Sequence, residues 1–509
     1  MKKEVSDDLY KLIKSMSTQE KVNFKLFAGN KNSDKTIYLR LFDIIDKQNE
    51  YDEIKIFKKD PSIKKKQIGN LKNYLYNLIL QSLELHQTSL ESTFRSYVSH
   101  IEILFEKGLL MQCKKIIKKA RILAEKHERS LTMVNLLYWE IKILANQHYE
   151  GVTEKTIDDF YESTKWYMNK YSNFNDYTFY ALKLYSKKET KGLSRKLEDV
   201  EEFRNALADS LFESEEKALS LAAKLQFYSC YSLYYTISND YQNCYVYRKK
   251  ILELQETNPH WIEQNLILYK TALCNLADCC ADLKKYDEQL VYIKKINEIL
   301  VKFKIPSLYF RNNIIASALL YEIILHTDTG EFKKATNLIE TDTIDIDSSY
   351  AIEVQPKITW LYLFAYSYFG IKNYATSKIY INEILNNSNN LRTDTYCMAK
   401  IMNMIIYYEL NDTMLDHIIR STYRFLLNKN RLYKIESVLI EFFRTKIFHI
   451  NTKKKLIEAF KELKEQIQEI STDPFEGKIL LAFDFISWLE SKIQNRPFAE
   501  IVKEKVKTE

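Results

Sequence analysis

The sequence predicts an all-α protein, organised as an α-solenoid of antiparallel helix pairs with a small helical domain before the array and a helical cap after it. The chain has 509 residues but only 8 glycines and 6 prolines, well below the usual shares of about 7% and 5%. Sheets and sandwiches need these residues in tight turns, whereas helices joined by short polar turns do not. The length exceeds one ordinary core, and apolar residues recur at helical spacing, which together favour stacked repeats.

Residues 1–90 are expected to form a basic helical domain. Ser17-Thr18-Gln19-Glu20 is a capping box that opens a helix extending to about Ala28. The region holds 17 Lys and Arg against 12 Asp and Glu, which is +5 of the chain's net charge of +7. Further helices are expected over 35–48, 51–58 and 62–87.

A run of three lysines is the most basic feature of this domain. Pro61 and Ser62 are expected to begin a helix whose first turn carries Lys64, Lys65 and Lys66. Cations at this end oppose the helix dipole, and an anion such as a phosphate backbone would compensate that cost. The alternative is a solvated lysine-rich face, because no arginine or amide reading set accompanies the run.

Residues 91–450 are expected to form the repeat array, and its clearest unit follows the charge-free run ITWLYLFAYSYFGI. Two apolar stripes, each on one helix face, are separated by a polar break. The first comprises Leu361, Phe364, Ala365 and Tyr368, and the second comprises Tyr374, Ser377, Ile381 and Ile384. The same steps recur from Tyr97, Tyr228, Leu273 and Leu319. Each unit is therefore expected to be a pair of antiparallel helices.

These units resemble the tetratricopeptide-repeat family, whose helix pairs carry small and aromatic residues at set positions. The segments that carry the resemblance are NLADCCADLKKYDEQL, YSCYSLYYTISNDYQNCY, FAYSYFGIKNYATS and the shorter TGEFKKATNLI. The turns precede Tyr241, Tyr286, Phe332 and Tyr374, at spacings of 42 to 46 residues, which are longer than the roughly 34 of the family. Arg248, Gln289 and Glu322 also stand at positions where the pattern has small or apolar residues.

The resemblance implies a superhelix with a concave groove lined by the first helix of each pair. On that basis, the groove residues expected to contact a partner are Tyr362, Tyr366, Phe369, Asp278 and Asp282. Such an aromatic and acidic groove would suit a peptide with apolar anchors and basic residues. A second basic run contains Arg420 and Arg424, which could hold a carboxylate or phosphate or form a solvated helix face. Residues 451–509 are expected to form capping helices.

The sequence contains no motif for common enzyme chemistry. It has no glycine-rich phosphate loop, no HExxH pair of histidines and no GxSxG elbow. Cys274, Cys279 and Cys280 lack the spacing of a zinc site and are expected to be core residues. We expect neither a cofactor nor a metal, and we expect the protein not to be an enzyme.

The expected compartment is the cytoplasm. The N-terminus lacks the apolar region of a signal peptide, and the fourteen-residue apolar run is too short to cross a bilayer. No membrane partner is therefore expected, and the sequence does not indicate an oligomeric state.

Two functions follow as hypotheses. The first is a non-enzymatic scaffold or adaptor that binds a protein or peptide along the groove. The second is a transcriptional or RNA-associated regulator, in which the basic N-terminal domain contacts nucleic acid and the array senses a ligand. A small helical domain before a repeat array resembles the layout of some bacterial peptide-responsive regulators.

Overall fold

The computed structural model describes residues 7–29, 35–87, 89–191, 197–305, 307–341, 344–386, 393–450 and 452–508. Within these ranges every regular element is a helix. The chain divides into two compact units: unit 1 comprises Met1–Met168 and Phe303–Asn312, and unit 2 comprises Asn169–Lys302 and Asn313–Glu509. None of the described helices has both the length and the hydropathy that crossing a lipid bilayer requires. The all-α prediction is confirmed.

Among the described residues, nine helices follow one another before unit 2 is reached, and the ninth continues into that unit. They are α1 (Asp8–Ser15), α2 (Thr18–Gly29), α3 (Lys35–Asp46), α4 (Glu53–Lys59), α5 (Ile68–Leu85), α6 (Leu90–Glu106), α7 (Leu110–Lys126), α8 (Ser130–Asn146) and α9 (Glu154–Lys191).

The first five helices of unit 1 share one apolar core, in which the rings of Phe24 and Phe42 lie 4.8 Å apart between centroids. The capping box that begins α2 is confirmed, because the Ser17 amide donates to the Glu20 carboxylate at 2.7 Å. The Glu20 amide in turn donates to the Ser17 hydroxyl at 3.3 Å. Helix α5 begins at Ile68, six residues after the expected start, and a turn precedes it.

Helices α6 to α8 pack in sequence around a second core of unit 1. Helices α6 and α7 meet where the Cys113 thiol donates to the Ile101 carbonyl oxygen at 3.6 Å. Trp139 of α8 meets the Phe105 ring edge-on at 5.6 Å. The pair α6 and α7, together with α8, thus buries apolar surface that no single helix could bury alone.

Unit 2 contains the remaining helices. They are α10 (Leu197–Ala206), α11 (Leu221–Ile237), α12 (Tyr241–Glu256), α13 (Pro259–Gln264), α14 (Leu266–Asp282), α15 (Tyr286–Lys302), α16 (Leu308–Asp328), α17 (Phe332–Thr341), α18 (Ser349–Val354), α19 (Lys357–Gly370), α20 (Tyr374–Asn386), α21 (Thr393–Glu409), α22 (Leu415–Asn428), α23 (Lys434–Glu441), α24 (Lys453–Ile470), α25 (Phe485–Gln494) and α26 (Phe498–Thr508). Helix α16 starts in unit 1.

The predicted turns of the repeats are in place. The second helix of four pairs begins at the expected residue: Tyr241 in α12, Tyr286 in α15, Phe332 in α17 and Tyr374 in α20. Consecutive helices contact each other along the chain. Adjacent helix pairs are therefore confirmed.

The same turn geometry recurs between paired helices, and it explains why the array needs so few glycines. A residue with positive φ ends the first helix, and the next amide donates back to the carbonyl oxygen five residues earlier, which satisfies a terminal helix carbonyl. Asn239, Lys284, Gly330 and Lys372 have φ between 56° and 73°. The returning bond of Lys285 to Cys280 is 2.8 Å long. Only one of these four positions is a glycine.

Small residues allow the paired helices to approach. Ala277 and Ala365 are fully buried, and the Ser377 hydroxyl of α20 donates to the Ala365 carbonyl oxygen of α19 at 2.7 Å. At the end of α19, a Cβ on Gly370 would overlap the buried Phe332 ring of α17. These contacts bring the paired helices close together.

The C-terminal helices belong to the large core of unit 2. Trp488 of α25 is 1% exposed, and its indole nitrogen donates to the Glu409 carboxylate of α21 at 2.7 Å. Lys492 forms an ion pair with the same carboxylate. The C-terminal segment is thus packed onto helices that precede it by about eighty residues.

Candidate functional site

The aromatic face predicted on α19 is covered by the chain's own C-terminal segment. Phe369 is 1% exposed, and its ring lies 5.2 Å from Phe483 and 5.8 Å from Phe498 between centroids. The Tyr366 ring lies 5.6 Å from Phe483, and the Tyr362 hydroxyl donates to the Ala482 carbonyl oxygen at 3.2 Å. The expectation of an open surface at these three residues is therefore corrected. Helical periodicity predicts that α19 has two opposite faces, but it does not predict which segment of the chain covers one of them.

The two predicted acidic residues of α14 lie one helical turn apart, and both are partly buried. The Tyr321 hydroxyl of α16 donates to the Asp278 carboxylate. Asp282 has no hydrogen-bond or ion-pair partner among the described residues. The pKa of Asp282 is raised to about 8, mainly by burial and also by the nearby charge of Asp278, while Arg248 opposes the shift. Burial also raises the pKa of Asp278.

Arg248 of α12 and Lys188 of α9 are cations near these carboxyl groups: Arg248 acts on both, and Lys188 acts on Asp278. The Arg248 guanidinium donates to the Asn275 carbonyl oxygen and, at 3.3 Å, to the Thr236 hydroxyl. The Nε atom is buried and has no partner. Tyr185 of α9 lies near the same guanidinium and remains 40% exposed. The guanidinium of Arg248 thus faces more than one carboxyl group.

Two further carboxyl groups extend the acidic patch. Burial and the neighbouring charge of Asp484 raise the pKa of Asp328 to about 7. Asp328 has no hydrogen-bond or ion-pair partner within the described part of the chain, whereas Asp484 accepts the Ser487 amide at 2.8 Å and thereby caps α25. The charge of Asp328 also reaches Asp282. We call Asp278, Asp282, Asp328 and Asp484 the carboxyl cluster.

The carboxyl cluster connects the two predicted sets of groove residues. Tyr366 lies close enough to Asp328 and Asp484 for their charges to raise the pKa of its hydroxyl, after burial as the main cause. The side chains of Asp328 on α16 and of Asp484 before α25 therefore connect the pair Asp278 and Asp282 with the pair Tyr362 and Tyr366. The structure brings together two groups that the sequence suggested only separately.

The positions of two acidic residues in the sequence could have indicated the carboxyl cluster. Asp282 and Asp328 end α14 and α16, and each stands nine residues after its frame residue, Leu273 or Leu319. A carboxylate at a helix C-terminus meets the negative end of the helix dipole, which disfavours its charge. Acidic residues at equivalent unfavourable positions of two repeats suggest a cationic ligand. Arg248 stands at a position where the repeat pattern has a small or apolar residue, and it is a second feature of the sequence that could have indicated this site.

The cysteines lie inside the helix packing. Cys274, Cys279 and Cys280 are at most 8% exposed, as expected for core residues. The Cys279 thiol donates to the Tyr241 carbonyl oxygen at 3.4 Å, and contact with Cys279, together with the nearby charge of Arg248, lowers the pKa of the Cys244 thiol. Within the described ranges, no three acidic, histidine or cysteine side chains are grouped in a way that could hold a metal ion.

The remaining predicted residues belong to other elements than those that form the carboxyl cluster. Lys64, Lys65 and Lys66 are exposed in the turn before α5, outside the helix that was expected to carry them. Arg420 and Arg424 stand one turn apart on α22, and Arg420 forms an ion pair with Asp416. An anion clamp at these arginines stays a prediction.

The chain matches no protein-family model, and a search of curated proteins finds no significant similarity. Function is therefore inferred from the side chains themselves.

Proposed function

We propose that the protein is a non-enzymatic scaffold or adaptor of tetratricopeptide-like architecture, which binds a protein or peptide through the carboxyl cluster of unit 2. The observation that carries the proposal is that Asp282 and Asp328 are carboxyl groups without a protein partner in the described ranges, and yet each keeps some accessible surface. A lysine or arginine side chain, or a terminal ammonium, would supply the missing charge and hydrogen bonds.

The surroundings of the cluster favour a peptide over a small inorganic cation. Tyr185, which is 40% exposed, offers a ring near Arg248, whereas Tyr321 is buried and Tyr366 packs against the ring of Phe483. Tyrosine rings supply apolar contact area at little cost in side-chain entropy, as in many protein interfaces. A basic residue flanked by an apolar one fits this combination.

Proton release should accompany binding. At neutral pH the empty site retains protons, because the pKa values of Asp328 and Asp282 are about 7 and 8. A cationic side chain favours the ionised carboxylates and expels those protons. The affinity for a basic peptide is therefore expected to rise between pH 6 and pH 9.

The test is a selection of displayed random peptides on the immobilised full-length chain at pH 8. Recovered peptides are expected to be rich in lysine and arginine, and synthetic copies should bind with the stated pH dependence in calorimetry. The double variant Asp282→Asn/Asp328→Asn is expected to lose about tenfold in affinity. Asp158→Asn/Asp159→Asn, which changes two exposed aspartates of α9, is the matched control. Peptides without basic bias, or equal loss in both variants, would contradict the proposal.

A further inference from the structure

A row of amide side chains follows one face of α5 in unit 1. Gln67, Asn70, Asn77 and Gln81 are exposed and border a groove of about 740 Å³, which Tyr38 of α3 also lines. Successive members of the row are three, seven and four residues apart, which places them along one face of the helix. Fourteen residues separate the first from the last, which corresponds to about 21 Å along the helix axis. The opposite face of α5 is buried in the core of the first five helices.

The amides of this row are largely unused by the protein. The Asn77 side chain donates to the Asn73 carbonyl oxygen at 3.0 Å. Gln67 precedes the helix without making a side-chain cap, and the Asn70 and Gln81 side chains make no hydrogen bond to described residues. Each amide offers a donor and an acceptor side by side, which is the pattern that base edges present in return.

An aromatic ring stands within the same row. Tyr74 is 52% exposed, although its ring lies 4.4 Å from that of Tyr38 between centroids. A large ring half exposed beside free amides provides a platform for a flat apolar ligand. Unpaired nucleic-acid bases stack on such rings, whereas the bases of a duplex are already stacked on each other.

The charges along this surface have one sign. No acidic residue occurs from Pro61 to Leu83, and Lys64, Lys65 and Lys66 are exposed next to Gln67, where the groove starts. None of these three lysines makes an ion pair with a described residue. The nearest preceding carboxylate, Asp60, is already paired with Arg40 at 2.7 Å. The groove thus combines cations for phosphates, amides for base edges and a ring for stacking. The amides that the lysine run was expected to lack are therefore present, because α5 carries them along one helix face.

We propose that this amide groove binds a single strand of nucleic acid, with the backbone phosphates at Lys64 to Lys66, a base stacked on Tyr74 and base edges on Asn70 and Asn77. The site lies within unit 1, shares no residue with the carboxyl cluster of unit 2, and goes beyond the function proposed for that cluster. An acidic peptide would use the lysines alone, and it would leave the tyrosine and the amides without a role.

Fluorescence anisotropy of the full-length chain with short labelled oligothymidylate and oligoadenylate tests the proposal. Binding is expected at low salt and should weaken steeply with added salt. Tyr74→Ala should weaken it about tenfold while Tyr74→Phe retains it, because stacking needs the ring and not the hydroxyl. Asn70→Ala/Asn77→Ala should change the preference between the two oligonucleotides.

The lysines are tested by the salt dependence. Replacing Lys64, Lys65 and Lys66 with alanine should reduce the slope of log affinity against log salt by about 2, which corresponds to three lost phosphate contacts on a single strand. The matched controls are Lys115, Lys118 and Lys119 to alanine on the exposed face of α7, and Tyr161→Ala on α9, whose ring is 62% exposed. Both controls should bind as the parent does.

Three outcomes would overturn the proposal. The first is no anisotropy change with either single strand at low salt. The second is equal loss in the groove variants and in their controls, which would indicate a diffuse charge effect. The third is competition by polyglutamate that depends on the lysines but not on Tyr74, which would assign the groove to an acidic protein instead.

Discussion

At the residue scale, the chemistry of unit 2 depends on carboxyl groups that burial and helix ends hold in an unfavourable environment. Asp282 and Asp328 end their helices, and one guanidinium, that of Arg248, faces several carboxyl groups. Such groups destabilise the folded chain when they ionise without a ligand. They are retained at a cost in stability, which is typical of binding sites.

The stability of the folded chain should therefore decrease at alkaline pH. The folded-state pKa of Asp282 is about 8, whereas the unfolded value is about 3.9. The folded state thus holds this proton more tightly, and the resulting stabilisation, complete below pH 4, is lost as the pH rises through 8. Asp282→Asn should raise the free energy of unfolding at pH 9 by about 1 to 2 kcal/mol relative to the parent chain.

Thermal unfolding followed by circular dichroism from pH 6 to pH 9 measures this effect. The parent's melting temperature should fall across the range, and that of Asp282→Asn should fall less. Asp158→Asn, at an exposed site on α9, should follow the parent. Parallel curves for all three proteins would show that Asp282 titrates normally.

At the element scale, the helix pairs are held by small residues where two helices come closest. Gly370, the last residue of α19, has no side chain because the Phe332 ring of α17 occupies that space. Phe332 is 1% exposed and also meets the rings of Tyr366 and Phe498. It has little freedom to move away.

Gly370→Ala should consequently destabilise unit 2 by about 2 to 3 kcal/mol, since an added methyl group overpacks a closed site. Gly69→Ala is the matched control, because nothing lies within 4 Å of the added Cβ near the start of α5. Alanine there should be neutral or stabilising, by up to about 1 kcal/mol. Urea unfolding of both variants gives the comparison, and similar midpoints would indicate that the α17–α19 contact adjusts freely.

At the scale of the whole molecule, the C-terminal segment completes a core that begins more than 150 residues earlier. Phe498 contacts Phe332, Tyr366, Phe369 and Phe483. Lys503 forms an ion pair with Glu331 at 2.6 Å. Local helix formation could not bring these residues together, so the contact depends on the tertiary fold.

Phe498→Ala should lower the free energy of unfolding by about 3 to 5 kcal/mol, because it empties the centre of this aromatic group. Phe448→Ala, at a side chain that is 48% exposed, should have little effect. Limited proteolysis should cut the Phe498→Ala chain early within 477–502, since the segment loses its anchor. If that segment stays protected, other contacts suffice to hold it.

The sequence alone determined the local elements. The capping box at Ser17 to Glu20, the helical stripes and the starts of four second helices depend on residues a few positions apart, so periodicity and capping chemistry predict them. The start of α5 differs from the prediction, because Pro61 and Ser62 are typical of a helix start whereas here the chain turns until Ile68. The acidic pair on α14 was also found correctly as two carboxyl groups of one helix face.

Only the tertiary structure decided which helix faces stay accessible and which side chains meet. Tyr362, Tyr366 and Phe369 share a face on α19, but periodicity does not reveal that Phe483 and Phe498 cover it. The approach of Asp328 to Asp282, and the groove between Tyr38 and α5, likewise depend on helix packing across tens of residues. Spacing along one helix defines its faces, whereas the partner of each face is set by the packing of the whole unit.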